Sequence, residues 1–333
     1  MENYSIHIDE PNRADKAKYF VGGKERLATM TSVFFIDDSR VVAAHLVGET
    51  MHLIECNPEQ KSHRFIDTID TTYNEHGTIT DLIDYDGNNK ILTSNFDDRS
   101  GSLYSLEGSK LRYLKDIPLP ITAGNCHGAR FYTSDIACLS TNQNDIYFVD
   151  IKTCSVISKL EMPYQIKDFC FIDSSTMVAA FAIKSPSSGK MPAYASGLLY
   201  FSFDLEDSSY KLIDRWFLKP CAFDALCFDK DSGKIYITDQ YGDRVVVIEI
   251  KEGSIDIVGE YEGFDFPHGI DVREGLLAVT NYGDSTIEFM DTSSSLVTPI
   301  TGWASRRWHY TLREIKDLCR RCAVRLVRIF RLK

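Results

Sequence analysis

The chain has 333 residues, is 44% hydrophobic and 26% charged, and carries a formal net charge of −11 at pH 7. That composition belongs to a folded chain long enough to bury a large core, and no run of about 18 apolar residues is present to cross a bilayer as a helix. The charge is divided unevenly: residues 301–333 hold ten Lys and Arg against two acids, a net +8, which leaves −19 on the remainder.

At the N-terminus, MENYSIHIDEPNRADKAKYF has acids where a secretory signal would have a basic end and an apolar core. Three of the nine cysteines, Cys138, Cys170 and Cys227, lie inside apolar strand-like runs, as free thiols in a reducing compartment do. A cytoplasmic protein is expected. The lone CRRC pair, Cys319 and Cys322, has no second pair and no βαβ context, so it is a weak metal or redox signal.

From residue 31 onward one pattern recurs. TSVFFIDDSRVVAAHLVGETMHLIEC (31–56) is followed by TDLIDYDGNNKILTSNFDDRSGSLYSL (80–106) and HGARFYTSDIACLSTNQNDIYFVDI (127–151). Then come IKDFCFIDSSTMVAAFAI (166–183), FDALCFDKDSGKIYITDQYGDRVVVIEI (223–250) and FPHGIDVREGLLAVTNYGDSTIEFMD (266–291). Each reads as short strands rich in β-branched and aromatic residues, divided by Asp, Asn, Ser and Gly turns. The matching positions Thr31, Asp81, His127, Lys167, Asp224 and His268 are 50, 46, 40, 57 and 44 residues apart.

Units of this length supplying about four strands each signify propeller blades, because a four-stranded sheet cannot cover both of its faces alone. The expected fold is all-β: a six-bladed β-propeller of four-stranded blades in residues 1–300, followed by a basic tail, 301–333, containing a C-terminal amphipathic α-helix. The blades are placed near 28–70, 74–120, 123–163, 164–220, 221–264 and 265–300. The alternating SIHID at residues 5–9 is placed to add an outer strand to the last blade.

PHGIDV followed by LLAVTNYGDSTIEF, and FDALCFD followed by KIYITDQYGDRVVVIE, resemble the NHL pattern of Pro-x-Gly-Ile, a strand and a Thr-Asp/Asn turn. Over roughly residues 28–300 the chain resembles six-bladed propellers of the NHL and gluconolactonase-like type, a fold that hosts hydrolases, lyases and pure scaffolds alike. The Trp-Asp dipeptides that mark WD repeats are absent.

Within a blade the first two strands run antiparallel, so the start of the first and the end of the second share one face. That logic gathers an inner ring of Thr31, Asp81, His127, Lys167, Asp224 and His268. A second ring holds His45, Asn95, Phe181, Asp239 and Asn281, with Asn142 and Tyr282 beside it, and His76 borders the same opening. His45, Asn95, Asp239, Asn281 and Tyr282 are the ligand-binding candidates. The longest insertion, SPSSGKMPAYASG (185–197), is expected to hang over this mouth as a lid.

Oxygen and imidazole donors suit a divalent metal, so Asp81, His127, Asp224 and His268 are candidate ligands for Ca, Zn or Mg, with Lys167 or His76 as acid/base. The resemblance implies something related: gluconolactonase-like propellers hold a metal with carboxylate and Asn ligands at such positions. Propeller lyases that cleave peptidyl hydroxyglycine use histidines, one in a Pro-His-Gly sequence like Pro267-His268-Gly269. The chain departs from both patterns, with Lys167 in the ring and Thr31 where the gluconolactonase-like enzymes carry a glutamate. A plainer expectation stands beside these: the same side chains cap turns, and Lys167 pairs with Asp81 or Asp224 in an ion-pair ring. No GxSxG elbow, P-loop or HExxH is present.

In the tail, Thr311-x-x-Glu314 opens a helix as a capping box. Leu312, Ile315, Leu318, Leu326, Ile329 and Phe330 fall on one face, and Arg313, Arg320, Arg321, Arg325, Arg328 and Arg331 on the other. With Trp308 just before it, this pattern fits an anionic membrane surface, a protein partner or docking on the propeller itself; nucleic acid ranks last, because the acidic body repels phosphate. Two functions remain open. One is a binding propeller, peripheral on a membrane or partner, whose mouth takes a small molecule, glycan or peptide. The other is a metal-dependent hydrolase or lyase using the Asp and His ring.

Overall fold

In a computed structural model the described residues are 4–7, 18–21, 24–27, 30–46, 49–71, 80–96, 98–183, 195–218 and 221–293. His76, most of the 185–197 insertion and the whole 301–333 tail, including its expected helix, lie outside them. The described residues form six four-stranded antiparallel sheets and one two-stranded hairpin, Lys18–Val21 with Lys24–Leu27. This is an all-β six-bladed propeller.

Blades 1 to 5 are each continuous in sequence. Their inner strands are Met30–Phe35, Thr80–Tyr85, Cys126–Thr133, Gln165–Phe171 and Phe223–Asp229. Blade 6 begins with Pro267–Arg273 and takes its outer strand from the N-terminus: Tyr4–His7 pairs with Thr286–Asp291, Ile6 opposite Ile287. Tyr4–His7, which includes the first part of SIHID, therefore closes the ring. Each inner strand packs on the next, and Pro267–Arg273 returns to Met30–Phe35.

The second strand of each blade is sandwiched between neighbouring sheets, which explains why VVAAH, ILTSN, ACLST, IYITD and LAVTN are buried on both faces rather than alternately. The core is accordingly six apolar clusters, one at each seam between blades. Phe148, Phe169 and Phe201 fill the seam of blades 3 and 4, and Ile6, Phe289 and Val41 that of blades 6 and 1. Of the expected 185–197 insertion, residues 195–197 belong to the third strand of blade 4, Ala195–Asp204.

One irregularity recurs. In every blade the pairing of the first two strands breaks register near its mouth end, between Met30/Ser32, Thr80/Ile83, Cys126/Ala129, Ile166/Asp168, Phe223/Leu226 and Pro267/Ile270. The residues inside these six bulges include Thr31, Asp81, His127, Lys167, Asp224 and His268. A bulge leaves a residue out of the ladder and re-aims its side chain. Here the six re-aimed side chains form the inner ring.

Candidate functional site at the propeller mouth

Hydroxyls on the second strands hold the bulges in place. Leu82, Gly128, Ala225 and Gly269 donate their displaced N–H groups to Ser94, Ser140, Thr238 and Thr280, at 2.7–3.0 Å. Three of these hydroxyls then donate to the carbonyl of the next ring residue: Ser94 to His127, Ser140 to Lys167 (3.3 Å) and Thr238 to His268 (2.7 Å). Four of the six bulges are thus satisfied within their blades, and three of these are tied to the following blade. These Ser and Thr residues were not singled out in the sequence, although TSN, LST, ITD and VTN carry them in one column before the Asn, Thr or Asp that ends each second strand.

The ring side chains meet. His268 Nδ1 lies 2.8 Å from Thr31 O, which can only accept, so this nitrogen carries a proton. Its Nε2 lies 2.7 Å from Asp224 Oδ2 and 3.6 Å from Asp81 Oδ1, so His268 donates on both sides as an imidazolium. Burial works against that charge, but the Asp224 carboxylate outweighs it and raises the His268 pKa to about 9.

His127 behaves in the opposite way. Lys167 Nζ stands 2.9 Å from its Nε2, which must accept, so the proton sits on Nδ1, 3.5 Å from Asp81 Oδ2. Burial and the Lys167 charge push its pKa down to about 3 and keep the ring neutral. The two carboxylates also diverge. Burial lifts Asp81 to about 7, with Asp224 adding to the rise and His268 opposing it. Burial acts on Asp224 too, but His268, His127 and Lys167 hold it well below the usual carboxylate range. Asp81 Oδ2 and His127 Nδ1 face each other at 3.5 Å, and neither has a hydrogen-bond partner.

Aromatic rings surround this network. Tyr282 stacks on His268 with centroids 5.1 Å apart, Phe266 leans on Tyr282, and the half-exposed Phe96 meets the edge of His127 at 5.9 Å. Beside them opens a cavity of about 340 Å³ lined by His127, Lys167 and Asp224 together with Phe96, Phe223 and Phe266. Asp81 and His268 stand behind its lining.

The second-ring candidates occupy a different layer. The Asn95 amide donates to Ser100 and Ser102, and Asp239 accepts from Ala222 N and Arg244. Asn281 accepts from Asp265 N and donates to Thr286 and Glu288. These three lock the turns that end the second strands. His45 is buried, its pKa lowered to about 4 by that burial, and lies edge-on to His52. Asn142 lines the cavity, whereas Phe181 packs in the seam of blades 3 and 4.

The four expected metal donors are brought together, but Lys167 is among them. Its ammonium lies 2.9 Å from His127 Nε2 and 3.7 Å from Asp224 Oδ1, and His268 is committed through both nitrogens. A divalent cation would have to displace the ammonium and take the His268 proton. Among the described residues no group of three or more His, Cys, Asp or Glu is arranged to hold a metal ion.

No protein-family model matches the chain, and no curated protein does. The six-bladed arrangement therefore stands on the geometry alone.

At the opposite mouth a cavity of about 520 Å³ is lined by the residues three positions further along, among them Asp84, Arg130, Cys170, Cys227 and Asp271. Its polar groups join blades. Asp84 accepts from Phe131 N at 2.6 Å, Asp168 from Leu226 N at 3.1 Å and Asp271 from Phe35 N at 2.8 Å. Arg130 donates to Asp168 and to the Leu226 and Ile83 carbonyls. Of the two cavities this one, on the face with the short turns, is the larger, but Asp84, Arg130 and Asp271 in its lining are engaged in joining blades.

Proposed function

We propose that this protein is a ligand-binding propeller whose inner-ring mouth takes a small molecule. The observation that carries the reading is the 340 Å³ cavity, in which three side chains of a buried charged network meet aromatic walls. Its volume falls in the lower part of the range for small-molecule sites, where a few fixed polar groups orient a ligand against an apolar lining. Glycans and peptides, longer chains with many polar groups, suit so compact a hollow less well.

A thermal-shift screen of the full chain against small acids, amines, sugars and dipeptides tests this. Ligands should raise Tm through preferential binding to the folded state, and Phe96→Ala, which removes an exposed wall residue, should weaken every hit. A screen without hits, or hits indifferent to Phe96→Ala, removes the proposal.

The enzymatic alternative is a metal-dependent hydrolase or lyase on Asp81, His127, Asp224 and His268. The observation in its favour is the buried Asp81 Oδ2, which lacks a hydrogen-bond partner. Metal analysis decides between the two: a stoichiometric divalent ion, lost in His268→Ala, would favour the enzyme. Kinship with the NHL and gluconolactonase-like propellers belongs to the same proposal, supported by the blade count and the Pro267-His268-Gly269 segment. So does a cytoplasmic location, supported by the free cysteines of the described residues. Attachment of the protein to an anionic membrane or a partner through residues 301–333 rests on their charge and periodicity. Co-sedimentation with anionic vesicles, with and without those residues, tests it.

A further inference from the structure

We infer that the ligand of this mouth is a small organic anion, a single carboxylate on an apolar or aromatic body, held by the Lys167 ammonium; this rests on the ligand-binding reading above. Five ionisable side chains meet in the inner ring, and they differ in what they show to the cavity. Lys167 keeps 23% of its side chain exposed, whereas Asp81, His127, Asp224 and His268 keep 2–8%.

Lys167 also has donors to offer. An ammonium carries three N–H groups. One is directed to His127 Nε2, and Asp224 Oδ1 at 3.7 Å is an ion-pair neighbour beyond hydrogen-bond length. The acids are differently placed. Asp224 Oδ2 is held by His268 Nε2 at 2.7 Å and Gln240 Nε2 at 3.2 Å, and Asp81 stands behind the lining.

Counting charges does not oppose this. Lys167 and His268 are positive, Asp224 is negative and His127 is neutral, so the ring is neutral when Asp81 is ionised and positive when it is protonated. An entering carboxylate meets a cation with free donors and forms charge-assisted hydrogen bonds. An entering amine meets the same cation and is repelled. Asn142 and Gln165, on the same lining, add amide donors, and Phe96, Phe223 and Phe266 supply the apolar side.

The experiment is calorimetric titration of the full chain with three probes alike in shape, phenylacetate, phenylacetamide and phenethylamine. Phenylacetate should bind at least tenfold more tightly than phenylacetamide, and phenethylamine should not bind. In Lys167→Gln, shown by its melt to be folded, the advantage of the acid over the amide should vanish. Lys167→Arg should keep most of it, and Lys230→Gln at the opposite mouth should keep all of it. Preference for the amide or amine, or an unchanged preference in Lys167→Gln, overturns the anion and leaves the mouth a ligand site. No binding by any probe, when the broader screen yields neutral ligands, does the same; no binding in either experiment overturns both readings.

Discussion

At the scale of single residues, two histidines of the same ring hold opposite charge states because of what stands next to each. His268 faces the Asp224 carboxylate, and His127 faces the Lys167 ammonium. The folded-state pKa of about 9 for His268 lies above its ordinary value of 6.5, so the folded chain holds that proton more tightly than the unfolded chain does. The stabilisation is complete below about pH 6.5 and disappears as the pH rises through about 9. His268→Gln should therefore lower stability in urea melts by an amount on the order of 3 kcal/mol at pH 6, and by much less at pH 9.5; an equal loss at both pH values contradicts the pairing. Asp81 runs the other way, since ionising a carboxyl held near pH 7 costs stability that builds as the pH rises from about 4 to about 7. Asp81→Asn should accordingly gain on the unaltered chain between pH 4 and pH 8 in the same melts. The ring membership of these residues was legible in the sequence, because six repeats in register place equivalent positions on one face. Their protonation was not, because it depends on neighbours some 40 to 50 residues away that only the closed ring brings within a few ångströms.

At the scale of the element, the bulge is the device that matters. A regular inner strand would send these side chains alternately into the two seams; the break in register turns one residue per blade toward the axis. His-Gly pairs show the geometric consequence. Neither Gly128 nor Gly269 has the positive φ of a tight bend; Gly269 is needed because the next blade passes close by, and Gly128 because the Ser140 hydroxyl of its own blade and the Lys167 carbonyl of the next both do. A Cβ on Gly269 would lie 2.5 Å from Thr31 O and Ser32 Cα, both backbone atoms of blade 1. Gly269→Ala should therefore destabilise the fold by about 2 kcal/mol or more in chemical denaturation, the usual cost of overfilling a packed site. A loss below about 0.5 kcal/mol, the size of an ordinary surface change, would mean that the two blades can move apart. The Gly was visible in PHG and CHG, but its reason was not, since it makes room for atoms of another blade.

At the scale of the molecule, stability depends on closure. Blades 1 to 5 are made of consecutive strands, whereas the outer strand of blade 6 comes from the other end of the chain and buries Ile6 completely. Deleting residues 1–7 would leave Thr286–Asp291 as an exposed edge and open the seam filled by Ile6 and Phe289. The truncated chain should melt several degrees lower and self-associate in sedimentation velocity; an unchanged Tm in a monomeric truncation would show that the ring closes without this strand. Closure also carries the polar clasps of the opposite mouth, where Asp84, Asp168 and Asp271 each bind the backbone of the following blade.

By itself the sequence determined the all-β class, six units, the positions facing the axis and the segregation of charge between body and tail. All of these are local patterns repeated, and repetition makes them readable one blade at a time. Only the tertiary structure decided which side chains touch, that Lys167 takes the place beside His127, that His268 is charged while His127 is not, and that a cavity of small-molecule size opens beside them. Those outcomes come from contacts between blades, where burial and Coulomb forces act over a few ångströms between residues far apart in the chain, and no single repeat contains both partners.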